Sequence, residues 1–226
     1  MTGPSTSAEL VLLDLDGCLI DSTAAITGSI RHALRAADVV PPPADRLRWC
    51  IGPPLLASLR SLLAEAGADP ASAERCLDVY REHYRDSAAE LTRVVPGVAD
   101  VLEVLAARAE LAVVTSKPGP AALPLIEQLG LGEYLVGVHA PAEDHAVEPK
   151  ATTLGRALAA HGRGRPPRAA VMVGDRSHDV AAGVACGTGT VGVTWGAGDR
   201  EELVWAGAGV VVDAPVELPD AIARAR

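Results

Sequence analysis

Residues 10–22, LVLLDLDGCLIDS, carry an aliphatic run into Asp14, pass Leu15, reach Asp16 and turn at Gly17. Two acids at the end of a buried run repel each other and lose hydration, so the pair requires a cation, a proton or a reaction. Two further runs end in polar groups. LAVVT (111–115) leads into Thr115, Ser116 and Lys117, and AAVMVGD (169–175) ends at Asp175, with Asp179 about one helical turn on. Lys150 opens the helical stretch before that last run. A hard divalent cation suits the four acids. Mg2+ suits them best, because it binds through a few carboxylates and keeps water and phosphate oxygens as its other ligands. Thr115 and Ser116, read at a strand-to-helix turn, offer a hydroxyl and backbone N–H groups to an anion, and Lys150 is a point charge for nucleophile and anion alike. The set suits phosphoryl transfer, in which positioning and charge compensation do most of the work. Asp14 is then the carboxylate nucleophile, and Asp16 protonates the leaving oxygen and later deprotonates water.

Elements that would bring these residues together can be read along the chain. Short aliphatic runs recur at 10–14, 111–115, 135–138, 169–175, 190–193 and 209–213, each bounded by polar or turn residues, as buried parallel strands are. Helical patterns separate the later ones: GVADVLEVLAARA, PAALPLIEQLG, KATTLGRALAAHG and HDVAAGVACG. This alternation predicts an α/β fold with a doubly wound, Rossmann-like parallel sheet and right-handed crossovers. From about Ser22 to Arg93 the pattern is helical throughout, far more than the dozen or so residues a crossover needs. The expected organisation is a core of residues 1–21 and 94–226 with a helical cap, 22–93, inserted after the first strand. That insertion leaves the sheet's carboxyl edge, where such sheets bind ligands.

Taken in order around a helical insertion, DLDGCLIDS, VVTSK, Lys150 and VGDRSHD resemble the four motifs of the haloacid dehalogenase-like hydrolase superfamily. The similarity is greatest to its phosphoglycolate-phosphatase-like branch and covers nearly the whole chain. LRWCIGPPL (47–55) resembles that branch's first cap element, and GVTWGAGDREEL and AGAGVVVD (192–213) its C-terminal segment. The resemblance implies that Asp14 is nucleophile and metal ligand and that Asp16 is the acid/base, reaching the metal through its backbone carbonyl. It also implies that Thr115 holds phosphate, Lys150 orients Asp14 and Asp175 binds Mg2+. Asp179 is a further ligand or an acid holding metal waters and Lys150. Cys18 and Ser116 stand where threonine and asparagine are usual in the family.

Gly17 and Ser116 join Thr115 as candidate phosphate-binding positions. Arg48, beside the IGPP turn, is a candidate contact to a substrate carboxylate or second phosphate, or else an ordinary surface arginine. Asp21 and Ser22 read as capping groups of the first cap helix, Thr115 and Ser116 as N-cap residues as well as phosphate ligands, and Lys117 as solvated or at the cleft rim. Trp49, Tyr80 and Tyr84 read as cap packing. The six histidines, His145 among them, read as surface or packing groups without metal spacing.

The chain of 226 residues carries a net charge of −9, which argues against nucleic-acid or anionic-membrane partners. It leaves room for a small anionic substrate, because a metal and a few cations reverse the field within a cleft. Four separated cysteines without metal spacing, and first residues (MTGPSTSA) that lack signal-peptide character, predict a soluble cytoplasmic protein. The activity expected is that of a Mg2+-dependent phosphatase for a small phosphomonoester such as phosphoglycolate. Sugar phosphates, nucleoside monophosphates, a phosphomutase and a non-catalytic phospho-ligand binder are the alternatives. Asp16 and Asp175 argue against a carbon–halogen hydrolase. A phosphonate hydrolase of this kind needs a cap lysine, and 22–93 has none.

Overall fold

β1 (Glu9–Leu13) is the strand that the sequence opens on, and it lies in the middle of the sheet. The computed structural model describes residues 9–142, 148–162 and 166–225; the first eight residues and His145 lie outside these. After β1 come a short strand β2 (Ile20–Asp21), then helices α1 (Thr23–Ala36), α2 (Leu55–Glu65) and α3 (Ala73–Leu91) and a second short strand β3 (Arg93–Val94). The rest alternates: α4 (Val98–Ala106), β4 (Ala109–Val114), α5 (Gly119–Gln128), β5 (Leu135–His139), α6 (Lys150–His161), β6 (Ala170–Gly174), α7 (Ser177–Cys186), β7 (Gly189–Val193), α8 (Arg200–Trp205), β8 (Val210–Val212) and α9 (Leu218–Arg224).

The main sheet has the order β5-β4-β1-β6-β7-β8, and every pairing is parallel. β1 consists of uninterrupted aliphatics because both of its faces are covered. Val11 and Leu13 pack with Leu102, Leu105 and Ile222 on one side, and Leu10 and Leu12 pack with Leu154, Ala157 and Ala182 on the other. With no phenylalanine in the chain, these branched side chains supply the core, each buried leucine contributing about 1.5–3 kcal/mol. The fold is α/β, a doubly wound parallel sheet between helical layers.

Register decides what emerges at the carboxyl edge. Leu13 pairs with Val113 of β4 and with Val173 of β6, so Asp14, Thr115 and Asp175 leave adjacent strands at nearly the same height. The chain order reverses on either side of β1, which makes this edge the switch point where open α/β sheets take ligands.

Helices α1, α2 and α3 fill the stretch read as helical. α1 buries Ala25, Ile26, Ile30, Ala33 and Leu34 at helical spacing against α3, and ADRLRWC forms a 3-10 helix, Ala44–Cys50. A two-stranded antiparallel ribbon, Ile20 with Val94 and Asp21 with Arg93, clasps the two ends of this stretch. The sequence gives no sign of it, since two residues carry no periodicity. Among the described residues, no helix is long and apolar enough to cross a membrane.

Candidate active site

The edge residues converge on one point. Asp14, Asp175 and Asp179 are all buried, and one carboxylate oxygen of each lies within 4.8 Å of the others. Asp14 follows β1 and is fixed by its backbone N–H, which donates to the Val173 carbonyl at 2.9 Å. Asp175 follows β6, and its Oδ2 accepts from the Ala197 amide at 2.7 Å, while Oδ1 is buried with no hydrogen-bond partner. Asp179 lies in the first turn of α7, where its Oδ2 accepts from the Arg176 amide at 3.0 Å. Lys150, the first residue of α6, places its ammonium 2.5 Å from Asp14 Oδ1 and 2.5 Å from Asp179 Oδ1.

Burial dominates the electrostatics of this cluster. It pushes Asp14 up to about 7, Lys150 opposing the shift and Asp179 adding to it. Asp175 is driven well above the usual carboxylate range, again by burial first, with Asp179 and Asp14 next. Burial alone would draw Lys150 down, but Asp14 and Asp179 hold it above its ordinary value. Three crowded acids with one lysine between them, one buried oxygen unpartnered, fit a divalent cation.

Asp16 has other partners. Its Oδ1 accepts from the Ser22 hydroxyl at 2.5 Å, and the Lys117 ammonium lies 3.1 Å from Oδ1 and 2.9 Å from Oδ2. Behind Lys117 the Tyr84 ring of α3 stands 4.7 Å from the ammonium, close enough for a cation–π contact. Lys117 is therefore neither solvated nor at the rim: its side chain is 7% exposed. Ser22 precedes α1 without a side-chain cap bond, since its hydroxyl is spent on Asp16. Asp21 does act locally, accepting from the Thr23 amide at 3.0 Å.

Thr115 is buried, with its amide on the His139 carbonyl and its Oγ1 accepting from the Lys117 amide at 3.0 Å, so its own O–H can still donate. Neither Thr115 nor Ser116 caps a helix, because α5 begins only at Gly119, after Pro118. The signal was in the sequence: a residue before proline is held extended, which delays the helix past Lys117-Pro118. Ser116 lines the cavity beside Thr115 and Lys117. Gly17 adopts φ 83°, and a Cβ there would overlap Asp175 Oδ2. Arg48 is not brought to this point, because its Nη2 donates to the Gly196 carbonyl at 2.7 Å. With Arg176, which bonds the Ile51 carbonyl, it joins the segment before α2 to the sheet's loops.

Asp14, Asp16 and Lys150 open into a cavity of about 570 Å3 between α3, α5 and the segment before α2. Tyr80, Tyr84 and His178 line it, so the two tyrosines do more than pack. A second concavity, about 420 Å3, lies beside the starts of β4 and β5, and none of the site's acids lines it.

Residues 11–193 match the haloacid dehalogenase-like hydrolase family. The Tyrosine-protein kinase PtkA of Mycobacterium tuberculosis is 36% identical over 200 residues, which cover 87% of this chain and 66% of that protein. The chain thus spans just under two thirds of that relative's length. A Phosphoglycolate phosphatase of Chromobacterium violaceum is 31% identical over 217 residues, 93% of this chain and 94% of its own. The crystal structure described as "a predicted phosphatase from Clostridium acetobutylicum" superposes with a TM-score of 0.86 at 29% identity, covering 96% of this chain and 98% of that one. The carboxylates at the ends of β1 and β6, Lys150 between them and these likenesses agree: the chain belongs to the haloacid dehalogenase-like hydrolase family, in its phosphoglycolate-phosphatase-like branch.

Proposed function

We propose that this protein is a magnesium-dependent phosphatase that hydrolyses a small phosphomonoester through an aspartyl-phosphate on Asp14. The observation that carries this reading is Asp14 itself. It lies buried beside Asp175 and Asp179, with Lys150 2.5 Å from its Oδ1 and a cavity in front of it. Asp14, Asp175 and Asp179 would hold Mg2+, with the Asp16 carbonyl as the further ligand that family resemblance implies. When bound, the ion neutralises charge on the carboxylates and on the phosphate oxygens.

The substrate phosphate docks against the Thr115 hydroxyl, the Ser116 amide and Lys150. A carboxylate oxygen of Asp14 attacks phosphorus in line, and the bond to the substrate's alcohol oxygen breaks as Asp16 protonates that oxygen. Asp16 then takes a proton from the water that attacks the aspartyl-phosphate, which restores Asp14 and releases phosphate. Asp179 steadies Lys150 between these steps. Residues 22–93 act as a cap on a core of 1–21 and 94–226. The setting is a cytoplasmic one, with a small phosphate ester as partner.

Phosphate release from phosphoglycolate, sugar phosphates, nucleotides and 4-nitrophenyl phosphate, with magnesium and with chelator, tests the reading. Magnesium-dependent release that disappears in Asp14→Asn supports it. Release indifferent to chelator, or undiminished in that variant, overturns it. The likeness to a protein named as a tyrosine kinase favours a second reading, in which the Asp14 phosphoryl group passes to an acceptor other than water. Phosphate appearing on a tyrosine peptide instead of in solution would favour it.

A further inference from the structure

The cavity in front of Asp14 is large for a substrate as small as phosphoglycolate. Its volume of about 570 Å3 lies within the roughly 300–1,000 Å3 that encloses drug-sized ligands. Phosphoglycolate has nine heavy atoms, two of them carbon, and would leave most of that space to water.

The wall is also built as an apolar stripe. Leu77, Tyr80, Tyr84 and Ala88 recur at helical spacing along one side of α3, and all four line the cavity. The chain has three tyrosines and no phenylalanine, yet two of those tyrosines stand here one turn apart, stacked with ring centroids 5.5 Å apart and planes 14° apart. Leu55 of α2 and Pro124 of α5 extend the same lining.

The cavity's two lysines are engaged by the acids, and Arg81 and Arg85 line it from α3 beside the stripe. Lys150 serves Asp14 and Asp179, and Lys117 serves Asp16. Arg85 is exposed, and Arg81 pairs with Asp78 at 3.0 Å. A flat ring set against the α3 stripe would bury apolar area and stack on a tyrosine.

We propose that the substrate's alcohol half carries a flat, largely apolar ring that binds the Leu77–Tyr80–Tyr84 stripe. The inference rests on the phosphatase reading above and concerns the substrate class of the same site. A phosphotyrosine offers such a ring on a phosphomonoester, and a nucleoside monophosphate offers one equally flat but more polar.

The test compares 2-phenylethyl phosphate with ethyl phosphate and phosphoglycolate in the magnesium-loaded protein, with 4-nitrophenyl phosphate reporting turnover as such. The first two are both primary alkyl esters, so the ring is their main difference. The expected kcat/KM is about tenfold or more higher for 2-phenylethyl phosphate than for either competitor. Tyr80→Ala brings that ratio down towards one, chiefly through KM, and Tyr80→Phe retains it. A uridine monophosphate arm and a phosphotyrosine arm then distinguish the two sources of the ring. Robust turnover with no preference for the ring, or with phosphoglycolate preferred, overturns this inference and leaves the phosphatase intact. No magnesium-dependent release from any ester, 4-nitrophenyl phosphate included, overturns the phosphatase and this inference with it.

Discussion

Lys117 grips Asp16 with its ammonium 2.9 Å and 3.1 Å from the two carboxylate oxygens. The pair is 101 positions apart in the chain and nearly closed to solvent, at 7% and 11% exposure. Ser22 holds one of the same oxygens from the start of α1, and Tyr84 of α3 backs the ammonium. Asp16, proposed above as the acid that moves the proton, is thus held by groups from the sheet edge, from the residue before α1 and from α3. This links the position of those helices to the geometry of the chemistry.

Removing the ammonium tests that link. Lys117→Met leaves Asp16 with Ser22 alone, and a proton donor displaced by a fraction of an ångström loses much of its effect. Phosphate release should fall about tenfold to a hundredfold, and Lys117→Arg should restore part of it. The melting temperature should fall too, because a closed ion pair has lost one partner, at a cost of no more than about 3–5 kcal/mol. Unchanged kinetics in Lys117→Met would reduce the lysine to a structural contact.

Asp14→Asn separates fold from chemistry. The carboxylate is held near a pKa of 7 mainly by burial, so the native protein carries an unfavourable charge there. An amide of the same shape removes that cost, while Lys150 keeps Asp179 as partner. Turnover should drop at least about a thousandfold, since no nucleophile replaces the carboxylate, and the melting temperature without metal should hold or rise. Calorimetry beside phosphate release checks both halves.

The same shifts fix a pH dependence. Asp14 and Asp175 have folded-state pKa values above those of the unfolded chain. Between the unfolded value and the folded one, the native state therefore binds more protons, and stability falls as pH rises. For Asp14 that window runs from about 4 to about 7. In chelator, the melting temperature should decline across the window, with Asp175 adding to the fall. Magnesium competes with those protons, so the rise it gives should be larger near pH 7.5 than near pH 5. Thermal scans at both pH values decide it, and an equal rise at both would remove these acids from the metal's ligands.

Much of this arrangement is legible in the sequence. Continuous aliphatic runs such as LVLL mark strands covered on both faces, and acids at their ends mark the edge that carries a site. Other features were hidden, for identifiable reasons. The Ile20–Asp21 and Arg93–Val94 ribbon is too short to carry a pattern. Arg48 reads equally well as a phosphate ligand or a surface residue, and its contact with Gly196 depends on packing between segments 148 positions apart. Lys117 could have been suspected, because the chain has only two lysines and one lies within VVTSK. A long flexible stem, however, gives no local sign of where its charge will rest.

The seat of Asp175 is made by the absence of side chains, which gives a last and sharper test. Cβ atoms at Gly17 and at Gly196 would each overlap Asp175 Oδ2, the oxygen that accepts from the Ala197 amide. The two glycines differ in one respect. Gly17 has φ 83°, so alanine there adds left-handed strain of about 1–2 kcal/mol. Gly196 shows no such φ, so alanine there tests the overlap alone. Both substitutions should push the Asp175 carboxylate aside, raise the magnesium needed for half-maximal turnover about tenfold and reduce the melting-temperature gain from magnesium. Gly17→Ala should in addition melt several degrees lower without metal, as its backbone strain predicts. Magnesium titrations followed by turnover and by thermal shift, run on both variants, separate the effects. If Gly196→Ala keeps the native magnesium requirement, Asp175 is either not a ligand or not held where these glycines leave room for it, and the metal assignment at the end of β6 falls.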